Sequence, residues 1–184
     1  MHIYETTLPG VLLVEPVVFR DPRGYFVETY HAQKYAEAGL GAIFVQDNFS
    51  HSSRGTLRGL HYQLTKPQGK LLTVLSGAIF DVAVDIRKGS PTFGQWVGVE
   101  LSQESHRQLY IPPGFAHGFC VISETAGVLY KCTDLYAPED ERGVLWNDPA
   151  LNIAWPIDQP VLSKKDSAFA SLRDMESDLP LYRP

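Results

Sequence analysis

The stretch that most constrains this chain runs from Lys70 to Ile86, where residues alternate with a period of two on either side of Ser76-Gly77. That period marks β-strands, because successive side chains point to opposite faces. Lys70, Leu72 and Val74 share one face of the first strand. After the turn, Ala78, Phe80, Val82, Val84 and Ile86 point one way, and Asp81, Asp85 and Arg87 the other. Ser-Gly between two such runs signals a tight turn.

Similar strand patterns recur at 11–14, 43–46, 95–101, 108–111, 119–122 and 127–133. Helical signals are few: residues 32–38, closed by Gly39, and a start near Ser163-Lys164-Lys165-Asp166. The 15 glycines and 13 prolines are scattered, so neither a linker nor a repeat is evident. Many short strands with Gly/Pro turns predict an all-β sandwich or jelly-roll barrel with a few short peripheral helices. The 184 residues suit one domain spanning 1–184. A small barrel of this kind can hold one ligand inside.

Composition narrows the function classes. With 44% hydrophobic and 20% charged residues the chain has an ordinary globular balance, and disorder is not the default. A net charge of −5 argues against broad nucleic-acid binding, though a few cations can still converge on a small anionic ligand. Cys120 and Cys132 lie in apolar runs and read as free, small hydrophobes. The first residues lack the cationic start and apolar core of a signal peptide, and no apolar run approaches a membrane span. Cytoplasmic residence without membrane contact is the expectation.

Two histidines stand in matching glycine-rich apolar runs: His61 in Leu57-Arg58-Gly59-Leu60-His61-Tyr62-Gln63, and His117 in the run 111–119. The second run has the Pro-x-Gly-x-x-His form of a metal-binding cupin barrel. The first lacks the His-x-His such a barrel needs, because Gln63 takes the place of the second histidine. Metal binding requires a third and usually a fourth ligand, for which Tyr62 and Gln63 are poor substitutes, so no metal or other cofactor is expected. The imidazoles are then either satisfied core groups or proton carriers.

Other side chains also have two readings. Lys70, in an apolar row, is an edge-strand guard or an inward cation placed for an anion. Tyr130, on a face with Val128 and Cys132, is a core tyrosine or a general acid whose proton nearby cations make easier to lose. Arg23, Glu28, Arg58 and Lys165 are solvated surface charges or recognise a phosphorylated ligand. Asp166 closes Ser163-x-x-Asp166 as a capping box, or holds the imidazole of His61 in one tautomer. A histidine base, a lysine facing an oxyanion and a tyrosine acid together suit proton abstraction next to a carbonyl and reprotonation from the opposite face.

Over nearly its whole length the chain resembles the dTDP-4-dehydrorhamnose 3,5-epimerases. The resemblance is carried by residues 19–28, 44–50, 57–63, 81–87, 90–94, 111–119, 130–134 and 146–149. It implies a metal-free cupin jelly roll working as a homodimer on a dTDP-4-keto-6-deoxy sugar. By the same resemblance His61 is the base, assisted by Asp166, Tyr130 is the acid on the other face, and Lys70 steadies the enolate. Arg58, His117, Glu141 and Lys165 match substrate-binding positions. Arg23, Glu28 and Gln46-Asp47-Asn48 match nucleotide-contacting ones, some reaching the neighbouring subunit's ligand. Relatives that invert only C3 or only C5 supply one alternative. A metal cupin and a non-catalytic nucleotide-sugar binding module are the others.

Overall fold

The computed structural model describes residues 1–183. Strands β1 (His2–Glu5), β2 (Leu12–Glu15), β3 (Val18–Asp21) and β4 (Gly24–Val27) precede the short helix α1 (Ala32–Glu37). Then come β5 (Gln46–Ser53), β6 (Leu57–Gln63), β7 (Lys70–Ser76), β8 (Ala78–Asp85) and β9 (Trp96–Ser102). The last are β10 (Gln108–Ile111), β11 (Phe115–Val121), β12 (Thr125–Cys132) and β13 (Glu141–Gly143). Single turns of 3-10 helix cover Pro138–Asp140 and Asp166–Ala168, and a longer one Leu172–Asp178.

Two antiparallel sheets face each other. One runs β1-β2-β10-β7-β12-β5 and the other β13-β6-β11-β8-β9, with the β3-β4 hairpin apart. Between them lies an apolar core to which β7 contributes Leu72 and Val74, β12 contributes Ala126 and Val128, and β11 contributes Phe115, Phe119 and Val121. Each fully buried aliphatic side chain contributes about 1.5–3 kcal/mol, so the alternation along β7 fixes which face turns inward. The fold is the all-β jelly-roll sandwich expected from the strand pattern.

Strands β7 and β8 form as their alternation predicts, but they do not pair: Ser76-Gly77 carries the chain from one sheet to the other, and both faces of β8 are buried. Val82, Val84 and Ile86 pack outward under Leu151, Leu172 and Leu179 of the C-terminal segment. The opposite row, with Ile79 and Ala83, points between the sheets and brings Asp81 and Asp85 with it, both at 0% exposure. One strand expectation and one helix expectation shift. Residues 43–45 form no strand; Phe44 instead packs edge-on against Tyr30 and Tyr110 outside the six-stranded sheet. The strand there begins at Gln46 and is built from polar residues. The helix expected near Ser163 shrinks to the turn Asp166–Ala168.

The glycines beside the two histidines have a packing cause. A Cβ on Gly59 would lie 2.6 Å from Gly118 Cα, and one on Gly118 would lie 2.7 Å from Arg58 O. The backbones of β6 and β11 therefore touch where their register shifts, between His117 and Phe119. Gly59, at φ 119°, takes a conformation that other residues avoid. It resets the alternation, so that Arg58 and His61 line the same cavity although they are three residues apart. Gly118→Ala is expected to cost about 1–3 kcal/mol, as overpacking does. Urea denaturation checks this; an unchanged midpoint would refute the close approach.

Candidate active site

At one end of the sandwich the polar inward rows enclose a cavity of ≈ 310 Å³. That size lies at the lower end of the range of roughly 300–1,000 Å³ usual for small-ligand sites. β6 and β11 supply Arg58, His61, Gln63, His117 and Phe119 from one sheet. β5, β7 and β12 supply Gln46, Asn48, Ser50, Lys70 and Tyr130 from the other. His61 and His117 are direct cross-strand partners. The structure thus brings together His61, Lys70, Tyr130, Arg58, His117, Gln46, Asn48, Glu141 and Lys165.

His61 Nε2 lies 2.6 Å from Asp166 Oδ1, and the edge of the ring meets Phe169. Asp166 makes half of the expected capping box and also holds the imidazole, through different atoms. Its backbone N–H donates to Ser163 Oγ at 3.0 Å, which leaves the carboxylate to hold the imidazole. Burial pushes the Asp166 carboxyl up, but the bond from His61, with Ser163 and Lys165, holds it below the usual carboxylate value. An ionised Asp166 can fix the tautomer of His61 and stabilise its protonated form.

A second pair sits beside it. His117 Nε2 lies 3.2 and 3.1 Å from the oxygens of Asp81. Burial drives the His117 pKa down, with Lys70 and His61 adding to the push and Asp81 opposing it. Asp81 was not singled out in the sequence. The available signal was a carboxylate in an apolar strand, which is costly unless paired.

Lys70 points into the cavity, and among the described residues its ammonium has no ion-pair partner. Burial lowers its pKa, so an anion arriving in the cavity would favour its charged form. Tyr130 corrects one expectation. Burial raises its pKa and outweighs the nearby Arg58, so the phenol holds its proton more firmly than a free one. Arg58 donates from Nε and Nη2 to Ser52 Oγ at 3.1 and 3.0 Å. At the rim, Glu141 Oε2 accepts from Lys165 Nζ at 2.7 Å and from Tyr136 Oη at 2.9 Å.

Three expected site residues lie off the cavity. Arg23 is exposed in the β3–β4 turn and paired with Asp21, and Glu28 is paired with Lys34 at 2.7 Å. Asp47 points out of β5 toward Lys131, at 2.9 Å, because alternation sends Gln46 and Asn48 inward. Gln63, where a metal cupin would have histidine, brackets backbone: Nε2 donates to Lys66 O at 2.7 Å and Oε1 accepts from Ala137 N–H at 2.9 Å. Among the described residues no group of three His, Cys, Asp or Glu side chains could hold a metal ion.

The profile of the family described as dTDP-4-dehydrorhamnose 3,5-epimerase matches residues 5–174. The chain belongs to that family. It is 56% identical to the dTDP-4-dehydrorhamnose 3,5-epimerase of Pseudomonas aeruginosa, covering 96% of this chain and 98% of that protein. The crystal structure of the dTDP-6-deoxy-D-glucose-3,5-epimerase of Legionella pneumophila, in complex with dTDP-4-keto-L-rhamnose, superposes with a TM-score of 0.96 at 52% identity. That match covers 100% of this chain and 99% of the Legionella one. A 4-keto-6-deoxy sugar epimerase from the novobiocin cluster of Streptomyces spheroides gives a TM-score of 0.95 at 39% identity, covering 99% and 94%.

Proposed function

We propose that this epimerase-family protein is an isomerase that inverts C3 and C5 of dTDP-4-dehydro-6-deoxy-D-glucose, giving dTDP-4-dehydro-L-rhamnose. One observation carries the reading: a carboxylate-held imidazole, His61–Asp166, faces Lys70 and Tyr130 across the same cavity from the opposite sheet. Inversion at carbon needs a base on one face of the sugar and an acid on the other.

In each half of the reaction His61 takes the proton from the carbon beside the C4 ketone. The electron pair moves onto the C4 oxygen, and the Lys70 ammonium stabilises the enolate. The Tyr130 phenol then returns a proton from the far side, and both side chains exchange protons with solvent before the next centre reacts. The raised pKa of Tyr130 keeps the phenol loaded at neutral pH. Asp166 positions His61. Arg58, His117, Glu141 and Lys165 hold the ligand, with Gln46 and Asn48 on the β5 wall. No metal or other cofactor enters these steps.

The proposal includes a homodimer. Arg23, Glu28 and Asp47, off this cavity, would serve a neighbouring subunit's ligand. In support, the β3–β4 hairpin that carries Arg23 exposes Phe19 at 61% and Phe26 at 67%. The two rings lie side by side, 6.4 Å between centroids, and an adjacent exposed apolar pair of this kind supports a contact surface there. Residues 1–184 act as one domain. Cytoplasmic residence fits the two free, buried cysteines, and no helix among the described residues is long and apolar enough to cross a membrane.

Mixing the protein with dTDP-4-keto-6-deoxyglucose and reading the sugar's proton couplings tests the activity. Inversion at both carbons is expected. Inversion at one would move the chain to the single-centre relatives, and unchanged substrate would refute the proposal.

A further inference from the structure

Among the described residues, Ser50 Oγ is the only buried side-chain polar atom that lacks a hydrogen-bond partner. A hydroxyl left this way costs about 1–3 kcal/mol and calls for a reason. Ser50 lines the cavity, on the inward row of β5 between Asn48 and Ser52. Its neighbours on that row are both engaged: Asn48 with Gln46 and Cys132, and Ser52 with Arg58.

Register places Ser50 along the ligand. Asn48 is the cross-strand partner of Tyr130, Ser50 of Val128 and Ser52 of Ala126. Alternate residues on a strand lie about 7 Å apart, so Ser50 falls midway between the proposed acid Tyr130 and the row where Arg58 is anchored. On the facing sheet, Phe119 pairs with Arg58. Val128, the cross-strand partner of Ser50, belongs to the apolar core cluster, as does Phe119 of the cavity lining.

The geometry points to Ser50 as a substrate-contacting, specificity-determining residue. Its hydroxyl takes a ligand oxygen lying between the Tyr130 phenol and the Arg58 guanidinium, either a sugar hydroxyl or a diphosphate oxygen. This rests on the nucleotide-sugar reading of the site. Serine suits the place because a hydroxyl both donates and accepts, whereas Arg58 can only donate. A ligand with no oxygen there leaves Ser50 unpaired and is disfavoured by the site.

The test is Ser50→Ala, read by calorimetric binding of dTDP and of dTDP-4-keto-6-deoxyglucose, with the thermal midpoint measured alongside. Affinity for the keto-sugar is expected to fall about tenfold while the midpoint holds or rises, since the variant removes an orphan hydroxyl. An equal loss with dTDP assigns the contact to the diphosphate; a loss with the keto-sugar alone assigns it to a sugar hydroxyl. Affinities within twofold of wild type for both ligands would overturn the inference. So would a midpoint lowered by several degrees, which would make Ser50 a structural residue. Binding is read rather than turnover, so a wild type that binds but fails to invert the sugar would count against the activity alone.

Discussion

Replacing His61 with asparagine is expected to lower kcat by about a thousandfold, within the span of general-base contributions, while dTDP affinity changes by less than about threefold. Asparagine approximates the volume of the ring and can still hydrogen-bond to Asp166, so the dyad's frame at 2.6 Å has a partner to keep. What it lacks is a nitrogen able to accept a proton from carbon. His61 is three-quarters buried, with Asp166 behind it at 4% side-chain exposure, so water is a poor replacement base there. A loss in kcat with binding intact separates a base from a residue that merely grips the ligand. Steady-state kinetics with calorimetry for dTDP makes the comparison; a variant within tenfold of wild type would remove His61 from the chemistry.

Lys70→Met is the second large effect, and it pulls activity and stability in opposite directions. Losing the cation beside the enolate oxygen is expected to cost about 10²–10³ in kcat, as loss of an oxyanion-stabilising group does. The folded protein without ligand should gain on the order of 1 kcal/mol, because an ammonium that burial disfavours gives way to an apolar chain. The sign follows from linkage. Burial lowers the folded pKa of Lys70 below the ordinary 10.5, so between those values the unfolded chain binds more protons and wild-type stability rises with pH. The stability gap between variant and wild type should therefore be widest below the folded pKa of Lys70. It should shrink as pH climbs and level off above about 10.5, where Lys70 is neutral in both states. Urea melts at several pH values read this directly; a less stable variant would show that Lys70 holds the fold together.

The conflict at Lys70 also explains why it was legible in the sequence. A lysine in phase with Leu72 and Val74 breaks an apolar row, and the structure keeps that phase. His61 and His117 were legible for a related reason, each beside a glycine that lets two backbones meet. β5 was hidden by its function. Its inward row is polar, with Gln46, Asn48 and Ser50 lining the cavity and Ser52 holding Arg58, so hydrophobic periodicity was absent, while the apolar 43–45 beside it mimicked a strand. Asp81 escaped because the alternation of β8 does not reveal that the C-terminal segment buries the other face as well. Burial also decided Tyr130, where proximity to a cation had suggested the opposite shift. For Arg23 and Glu28 residue type alone left both a surface charge and a phosphate contact open, and only the family resemblance placed them at the nucleotide.

The central claim is that His61 removes hydrogen from the carbons flanking the ketone. Its most direct test is deuterium uptake by the sugar in heavy water, with wild type and H61N side by side under dTDP-4-keto-6-deoxyglucose. Wild type should carry label at C3 and C5, and H61N at neither while it still binds dTDP. Label entering either carbon in H61N at the wild-type rate would contradict the account.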